Sequence, residues 1–589
     1  MLDYKSPDDM TYAEILAEAT AKLRALAPEW TDYNTHDPGV TFLEMLCWLT
    51  ENQRYYLSRI TEKHELKYLK LLGTAPISAR PARLLAVCEP MGAKLPKGSK
   101  ADVNGVPFTL EEDVNLGGKI TVSREYGGAA SDVYGFKPFG EKPRAGAEFY
   151  IALDEPLIGG EEYRLYAVTA RDKTGGTPLR DGYYPTYEIE MAALCGGEWL
   201  PCEIRDGSYG FSQSGAIALI SPLPCVALKC ALIRCEADAP PVVEALCLSA
   251  VELVQKEYAA VPIRYEFREN PLCLDTPPLI AVKEDFRLFT EEEGGLTEWS
   301  QTDDLSCSGP FDRHYELDET EGTVRFGDNV RGKKPEKGVV IASMSLTAGS
   351  EGNVKENLDF TISGGGAEIK ARNPFPLPPE NAGANRETVS EAFERFVRES
   401  KKPYAAFTAA DCLALIRRVP GLRIESANAY FPEEGKTRIC VNPAHKSEKG
   451  LPPAYVRNIR KFLFERRAPC VELEITPPSY RTGDLFAEIR FEEWADGKEK
   501  EISLMLRRLA DEAGKRFGVT VSLSKWKSEI EAAPYAREAN GLTLKQRNGE
   551  IIGVFKDKTL SPDEILKVEK IFINGASYEE RTSNDLYGM

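Results

Sequence analysis

Large hydrophobic residues crowd one short stretch of the chain, between residues 38 and 57. Asp37 before Pro38 predicts where a helix begins, because Asp accepts hydrogen bonds from the free amides of a first turn and Pro favours its first position. The apolar residues that follow are Val40, Phe42, Leu43, Met45, Leu46, Cys47, Trp48, Leu49, Tyr55, Tyr56 and Leu57. They fall on nearly every side of the predicted helix, so the pattern predicts a helix that is covered on all sides.

Two further helices are predicted around this one. Thr11 and Glu14 form the capping-box pattern that opens a helix, and apolar residues follow on one face. Another helix is predicted from about Glu62 to Leu72. Residues 1–75 therefore form a predicted helical segment with more apolar surface than a helical hairpin can bury by itself. Apolar surface of this size usually marks a contact between proteins.

From about residue 76 to 365 the pattern changes to short segments separated by Gly and Pro. Such spacing is typical of an all-β sandwich or barrel. The clearest predicted strands are 84–89, 148–153, 163–168, 216–220 and 226–235.

One hairpin is predicted late in this region, where Gly327, Asp328 and Asn329 suit a tight turn. The returning strand is predicted to place Val340, Ala342, Met344 and Leu346 on one face, because side chains alternate along a strand.

Mixed patterns return after the Pro-rich segment 373–388, which is predicted to be a linker. Helices are predicted at Glu387–Glu399 and Thr408–Arg418. Residues 498–516 are predicted to form a helix and 519–524 a strand. The predicted fold is a multidomain α+β protein with an N-terminal helical bundle segment, a long β-rich middle and small C-terminal modules. Its predicted domains are 1–75 (helical), 76–365 (β-rich), 366–422 (linker and helices), 423–480 (small α+β) and 481–589 (C-terminal α+β).

The charge of the chain limits its partners. Its 589 residues include 74 Lys and Arg against 92 Asp and Glu, a net charge of −18. Such a surface repels nucleic-acid phosphates and anionic lipid headgroups. No run approaches the ~20 apolar residues of a membrane span, and the acidic N-terminus lacks the pattern of a signal peptide. These features predict assembly in the cytoplasm and free thiols for the 13 cysteines.

The residues that usually carry catalysis are scarce. His36, His64, His314 and His445 lie far apart in the sequence. The motifs of zinc proteases, α/β-hydrolases and P-loop proteins do not occur. His36 and Asp37 with His64 imitate a metal pair, but a helix cap at Asp37 explains that residue more simply. The sequence therefore predicts no catalytic residue, no cofactor and no metal site.

Several segments resemble one protein family. The string HDPGVTFLEMLCWLTE from His36, followed by the EK and LKYLKLLG elements within 62–73, resembles the N-terminal signature of baseplate assembly proteins. These belong to the baseplate J-like wedge family of contractile phage tails and phage-tail-like injection systems. Segments 96–113, 205–222 and 323–354 also resemble blocks of that family, and the resemblance extends to about residue 480.

The resemblance implies a structural baseplate wedge subunit without enzymatic activity. The implied partners are a second baseplate wedge subunit in a helical core bundle, a gp25-like small wedge protein and neighbouring wedge copies, and indirectly the sheath and the spike hub. Neither nucleic acid nor membrane insertion is implied. The subunit would link these parts and relay the contraction trigger, with hinge candidates at 34–39 and 373–388.

The predicted partner interface lies in the helical segment. Arg59 is predicted to pair with a partner carboxylate or, alternatively, to form a surface ion pair worth at most ~1 kcal/mol. The predicted interface residues are Trp30, His36, Asp37, Pro38, Gly39, Leu43, Trp48, Tyr55, Arg59 and Leu69.

Three other functions stay open at this point. The β-rich middle is compatible with a glycan-binding or adhesin component, which predicts glycan binding by residues 76–365. Carboxylate pairs such as Glu111 and Glu112 are compatible with hydrolysis of a glycosidic bond, although 92 acidic residues make chance pairs common. A transient baseplate assembly chaperone would be absent from finished particles.

Overall fold

The structure is a computed structural model of the chain. It describes residues 10–34, 36–57, 62–89, 92–129, 135–170, 176–237, 240–258, 262–274, 285–292, 294–318, 322–433, 435–444, 450–469, 471–495, 498–555 and 557–578. Arg59 and His445 lie outside these residues, so the predicted interface role of Arg59 stays a prediction.

The described residues form a mixed α+β protein in which strands predominate. The helices are α1 Tyr12–Leu26, α2 Pro38–Leu57, α3 Glu62–Leu71, α4 Val389–Ser400, α5 Ala409–Ile416, α6 Pro453–Phe464, α7 Glu499–Gly514 and α8 Leu523–Glu531. The first strands are β1 Arg83–Cys88, β2 Lys94–Leu95, β3 Lys100–Val103, β4 Val106–Leu110, β5 Val114–Asn115, β6 Ile120–Ser123, β7 Glu148–Leu157, β8 Glu162–Thr169, β9 Tyr187–Cys195, β10 Glu198–Pro201, β11 Glu203–Asp206, β12 Gly215–Ile220, β13 Cys225–Cys235, β14 Val243–Cys247 and β15 Ala250–Val254. The next are β16 Glu257–Tyr258, β17 Ile263–Tyr265, β18 Leu272–Cys273, β19 Arg287–Glu292, β20 Gly295–Gln301, β21 His314–Asp318, β22 Thr323–Phe326, β23 Val339–Ser343 and β24 Ser345–Leu346. The last are β25 Asp359–Gly364, β26 Ala367–Arg372, β27 Ile424–Tyr430, β28 Lys436–Pro443, β29 Glu472–Thr476, β30 Ser479–Phe491, β31 Thr520–Val521, β32 Ala536–Gln546, β33 Ile551–Gly553, β34 Lys558–Thr559, β35 Glu564–Ile573 and β36 Ala576–Tyr578.

The contacts of the chain divide it into two units, each built from separated segments. The first unit comprises Met1–Pro81, Tyr258–Ser350 and Gly383–Lys401, and the second comprises Ala82–Glu257, Glu351–Ala382 and Lys402–Met589. This division interleaves segments that the sequence-based boundaries keep apart.

The first unit combines helices α1 to α4 with a seven-stranded sheet in the order β17-β23-β19-β20-β21-β22-β18. Its sheet core is apolar and includes Leu288, Trp299, Tyr315, Phe326 and Ile341. The indole of Trp299 donates a 2.6 Å hydrogen bond to the Thr290 hydroxyl, which satisfies its polar atom inside the core.

The second unit begins with a closed barrel, in the order β1-β15-β4-β3-β25-β26. The barrel closes where Val87 and Cys88 of β1 pair with Arg372 and Ala371 of β26. A closed barrel leaves no free sheet edge, and its inward side chains fill the interior.

A β-sandwich takes strands β5 to β14 from the segment between β4 and β15 of the barrel, and β2 from the segment between β1 and β3. One sheet has the order β10-β9-β13-β7-β6, and the other has the order β11-β12-β8-β5-β2 with β14 paired to β8. Its core takes side chains from both sheets, such as Phe149 and Leu228 from one and Leu165 and Ile217 from the other.

Two α+β modules follow in the second unit. The first packs α5 and α6 with the sheet β27-β28-β29, around Leu415, Ile439 and Ile459. The second packs α7 and α8 with the sheet β33-β32-β30-β35-β36, around Leu506 and Leu544. In both sheets the central strand has one antiparallel and one parallel neighbour, but the helices connect the strands differently.

Several sequence predictions are confirmed residue by residue. Thr11 caps α1 and Thr408 caps α5, each in a reciprocal capping box. The predicted helix start at Pro38 is also observed. No helix among the described residues is both long enough and apolar enough to cross a membrane.

Three local predictions are wrong. The turn at residues 327–329 does not join a hairpin, since β22 pairs with β21 and β23 pairs with β19. Along β23, Val339 and Ile341 enter the core while Ala342 is exposed, so the predicted alternation is displaced. The predicted strand 519–524 contains only the two residues of β31, because α8 begins at Leu523.

Candidate partner interface

The turn between α1 and α2 is held by short-range hydrogen bonds. The indole nitrogen of Trp30 donates to the Asp32 carbonyl at 2.8 Å. The backbone and side-chain nitrogens of Asn34 donate to the Asp32 carboxylate at 3.0 and 2.8 Å. The carboxylate of Asp32 therefore organises the turn before α2 begins.

Asp37 caps α2 as its position predicts. Its carboxylate accepts hydrogen bonds from the amides of Gly39 at 2.6 Å and Val40 at 3.2 Å. Gly39 has a second role, because a Cβ atom there would lie 2.2 and 2.3 Å from two ring atoms of Trp30. The indole of Trp30 thus packs directly on the backbone of the first turn of α2.

Helices α1 and α2 pack together with very little buried surface. Cys47 is the one buried residue among the described side chains of the pair, and it is 3% exposed. The carboxylate of Glu51 accepts a 2.8 Å hydrogen bond from the Tyr12 amide at the start of α1. An anion at this position is favoured by the helix dipole. Burial raises the pKa of the Cys47 thiol, with a smaller contribution from Glu44.

Helix α2 has two faces of unequal chemistry. At about 100° per residue, its exposed apolar side chains cover roughly half of the helix circumference. The charged residues Glu44, Glu51 and Arg54 lie on the other half and are all half-buried. The exposed apolar residues are Phe42, Met45, Leu46, Trp48, Leu49, Tyr55 and Tyr56. A surface helix ordinarily shows the reverse arrangement, with its apolar face inward and its charges outward.

Helix α3 packs on α4 rather than forming a compact bundle core with α2. Leu69 is 2% exposed and packs with Val389 and Ala392 of α4. On the outer side of α3, Tyr68 and Leu71 are exposed.

An ion pair fastens the segment after α3 to α4. The guanidinium of Arg395 binds both carboxylate oxygens of Glu387 at 2.9 to 3.1 Å and donates to the Ala75 carbonyl at 2.6 Å. The Glu387 carboxylate also accepts from the Ile77 amide at 2.9 Å. Burial by itself would raise the pKa of Glu387, but these donors outweigh it and hold the pKa below its ordinary value.

The structure assigns different surroundings to the predicted interface residues. Trp30, Asp37, Gly39 and Leu43 are half-buried, His36, Pro38, Trp48 and Tyr55 are exposed, and Leu69 is buried. Trp30, Asp37 and Gly39 form one contact group at the turn, and Trp48 and Tyr55 belong to the exposed half of α2. Their roles in binding a partner stay predictions.

Five exposed residues of the same half of α2 are absent from the predicted interface set. They are Phe42, Met45, Leu46, Leu49 and Tyr56. The positions of Glu44, Glu51 and Arg54 in the sequence are the signal that would have found them, because three charges on one side of a helix indicate which side faces the rest of the chain.

Within the described ranges, no group of three or more His, Cys, Asp or Glu side chains is arranged to hold a metal ion. The twelve cysteines in this part of the chain are free thiols.

Comparisons with known proteins were made at three levels. No protein-family model matches the chain, and no curated protein matches it. Among solved structures, the chain is similar to a chain of the six-fold symmetrised cryo-EM structure of the anti-feeding prophage baseplate, with a TM-score of 0.37 and 12% identity, over 94% of this chain and 90% of that chain. It is also similar to a chain of the TssK-TssF-TssG baseplate subcomplex of the type VI secretion system, with a TM-score of 0.38 and 11% identity, over 74% of this chain and 96% of that chain. Because both TM-scores lie below 0.5, the function proposed below rests on the residues of the chain itself.

Proposed function

We propose that this protein is a structural wedge subunit in the baseplate of a contractile injection system, a phage tail or a phage-tail-like particle. Its N-terminal helices would enter a helical bundle with a second wedge subunit. The observation that carries the proposal is the exposed, uncharged apolar half of α2, which includes Trp48 and Tyr55. The segment from His36 onward resembles baseplate wedge proteins, and this resemblance indicates that the partner belongs to a baseplate.

The energetics favour a partner on this face. Burying a large apolar side chain contributes about 1.5–3 kcal/mol. Seven such side chains of α2 are exposed, so covering them would contribute on the order of 10 kcal/mol before the costs of association. Few contacts hold α1 on α2 in the free chain, and a partner would therefore also stabilise this helix pair.

The proposed role is mechanical rather than enzymatic. The subunit would be assembled in the cytoplasm and become part of the particle. It would link the spike hub, neighbouring wedges and the sheath, with the gp25-like small wedge protein among its neighbours. Relay of the contraction trigger would require packed elements with two alternative arrangements. The segments 34–39 and 373–388 are the hinge candidates, and locking either one with a disulfide should block triggering.

The test of the proposed function is a substitution on the exposed half of α2. The full chain with a C-terminal tag is purified from cells that produce the particles, as wild type and as Trp48→Ser. The wild type should bring sheath, tube and spike proteins with it. The variant should lose at least roughly 90% of these partners, because it removes the largest side chain of the apolar face and leaves a hydroxyl in its place.

Trp494→Ser is the matched control, since Trp494 is also an exposed tryptophan and lies in the C-terminal module, remote from α2 in the sequence. It should retain the partners. Trp48→Ser should also leave the thermal stability of the free chain nearly unchanged, because Trp48 is already exposed in it. Normal recovery of baseplate partners with Trp48→Ser, or a wild-type chain that purifies alone from particle-producing cells, would refute the proposal.

One observation favours glycan binding as a second candidate function. Tyr126, Tyr150 and Trp199 form an aromatic cluster on the outer face of the sandwich, with ring centroids 5.6 to 6.0 Å apart. The Lys229 ammonium lies 5.8 Å above the Trp199 ring. Aromatic rings beside charged groups are suited to sugars, but the three rings also pack against one another, Tyr126 edge-on to Trp199 and the other two pairs tilted. Binding of the full chain to a glycan array, lost in Tyr126→Ala, would support this candidate.

A further inference from the structure

Two loops of the first unit are joined by backbone hydrogen bonds and form a surface called here the basic tip. It consists of residues 308–313 and 327–334. The Gly332 amide donates to the Gly309 carbonyl at 3.1 Å, and the Lys333 amide donates to the Asp312 carbonyl at 2.8 Å. These bonds tie the two loops together along their backbones.

Further contacts fix the shape of the basic tip. The Asp328 carboxylate accepts hydrogen bonds from the amides of Val330 at 2.9 Å and Arg331 at 2.7 Å. At the base, the Glu292 carboxylate binds Arg313 at 2.7 Å and Lys333 at 2.8 Å. Hydrogen bonds from these two cations lower the pKa of Glu292 to about 2, so the ion triad persists at neutral pH.

The basic tip presents apolar and cationic side chains to solvent. Phe311 is 86% exposed and Val330 is 69% exposed. Arg331 and Lys334 are also exposed, and neither forms an ion pair within the described part of the chain. The Lys334 ammonium lies 5.9 Å from the centroid of the Phe267 ring. The carboxylates of Asp312 and Asp328 in the same loops accept backbone hydrogen bonds. A rigid loop that keeps two apolar side chains in water loses little conformational entropy when a partner covers them.

A surface of opposite charge occurs on the sandwich of the second unit, where β7 turns into β8 and where the chain enters β13, and is called here the acidic tip. It consists of residues 154–162 and 221–226. The Gly160 amide donates to the Ser221 carbonyl at 2.8 Å. A Cβ atom on Gly159 would lie 2.6 Å from the Leu223 backbone, so the loops are in close contact.

The acidic tip also exposes an apolar pair beside charged residues. Ile158 is 56% exposed and Leu223 is 53% exposed. The segment 154–162 reads DEPLIGGEE, with four carboxylates and no cation. Asp154, Glu155 and Glu161 form no ion pair among the described residues. The fourth carboxylate, that of Glu162, binds two arginines.

We propose that the basic tip of one copy of this chain binds the acidic tip of a second copy. Each tip offers an exposed apolar pair. Near that pair in the sequence, one tip has cations without an ion-pair partner among the described residues and the other has carboxylates without one. Opposite potentials favour encounter and fix the register, while the apolar residues supply contact area. The occupant is a second copy because this chain itself carries the complementary surface.

A contact of this kind is heterologous, since each copy uses one surface toward one neighbour and a different surface toward the other. Heterologous contacts build closed rings when the rotation closes and open filaments when it does not. The contact rests on the proposed function in one respect, the presence of neighbouring wedge copies, but it is made by segments remote in sequence from α2 and requires no other protein.

Mixed disulfide cross-linking tests the contact. Cys273 and Cys307 are exposed thiols, so both are first replaced by Ser in the full chain. One preparation then carries Val330→Cys and the other Leu223→Cys. When the two are mixed and oxidised, a covalent heterodimer should form at least tenfold faster than in a control mixture of Val330→Cys with Leu504→Cys. Leu504 is a similarly exposed residue on α7. Only contacts between copies can join two different variants.

A second experiment reverses the charges of the two tips, first on one variant and then on both. Arg331→Glu with Lys334→Glu on the Val330→Cys chain should abolish the excess cross-linking. Asp154→Lys with Glu155→Lys on the Leu223→Cys chain should restore it. Arg508→Glu with Lys515→Glu, an equal charge change in the C-terminal module, should have no effect. A rate equal to that of the control mixture, or one that the reversals leave unchanged, would overturn the proposal. This outcome is independent of the Trp48→Ser test, which reports only on the α2 partner.

Discussion

At the scale of single residues, the contact between Trp30 and Gly39 sets the geometry of the turn before α2. Gly39→Ala would place a methyl group 2.2 Å from the indole, so the ring must move. Overpacking of this kind typically costs about 1–3 kcal/mol. We expect faster hydrogen exchange of the amides in the first two turns of α2, measured by mass spectrometry on the full chain.

Gly553→Ala is the matched control for this prediction. A Cβ atom at Gly553 meets nothing within 4 Å, and exposed substitutions of this kind usually change stability by less than about 0.5 kcal/mol. Unchanged exchange in α2 of the Gly39→Ala protein would mean that Trp30 does not hold the start of the helix.

Asp37 and Gly39 show which structural roles can be predicted from local sequence and which cannot. The capping role of Asp37 was predictable, because its hydrogen-bond partners are two and three residues away. The need for glycine at position 39 depends on a ring nine residues earlier, and no local pattern encodes that contact. Along β23, likewise, Val339, Val340 and Ile341 are all buried, so the sequence offers no alternation from which to assign its inward face.

At the scale of elements, α1 is held weakly and its capping box should matter. No residue of α1 is buried. Cys47 of α2 is buried, and we infer that α1 is the helix that covers it. Thr11→Ala removes the cap and typically costs about 1 kcal/mol, which corresponds to roughly fivefold more frequent opening of the helix. We expect the labelling of Cys47 by a maleimide reagent to accelerate by about that factor, measured on its tryptic peptide.

The control for the α1 prediction is the equivalent cap of α4. Thr388→Ala removes the same type of capping box and should not change the labelling of Cys47. If Thr11→Ala left the labelling rate unchanged, α1 would not be the element that protects this thiol.

Helix prediction succeeded where caps and spacing agreed and failed where composition misled. The boxes at Thr11 and Thr408 were visible because their partners are three residues apart. The segment at 519–524 is rich in Val and Ser, which favours a strand, yet α8 begins within it. Leu523, Trp526 and Ile530 are buried at helical spacing, and this longer period was the stronger signal.

At the scale of the whole molecule, pairing between distant segments decides the architecture. Arg83 pairs with Val254 across the inserted sandwich, and the barrel closes only with β26. The β-rich middle was predictable from strand patterns, because each strand carries its own periodicity. The closure of the barrel and the interleaving of the two units were not, because local periodicity does not specify which strand pairs with which.

Separate cores lead to a prediction about how the chain unfolds. Leu288 is fully buried in the sheet core of the first unit, and Leu544 is fully buried in the C-terminal core of the second. Either Leu→Ala substitution should cost about 2–5 kcal/mol. We expect calorimetry of the full chain to show more than one unfolding transition. Each substitution should lower the midpoint temperature of a different transition by at least roughly 5 °C.

Leu504→Ala is the control for both substitutions, because Leu504 is exposed on α7. This substitution should leave the midpoint temperature of every transition unchanged. The decisive comparison is between the two core variants. If both lowered the same single transition, the chain would unfold as one cooperative body despite its separate cores. Distinct shifts would instead mean that the cores melt independently, so that one unit can unfold or rearrange while the other stays folded.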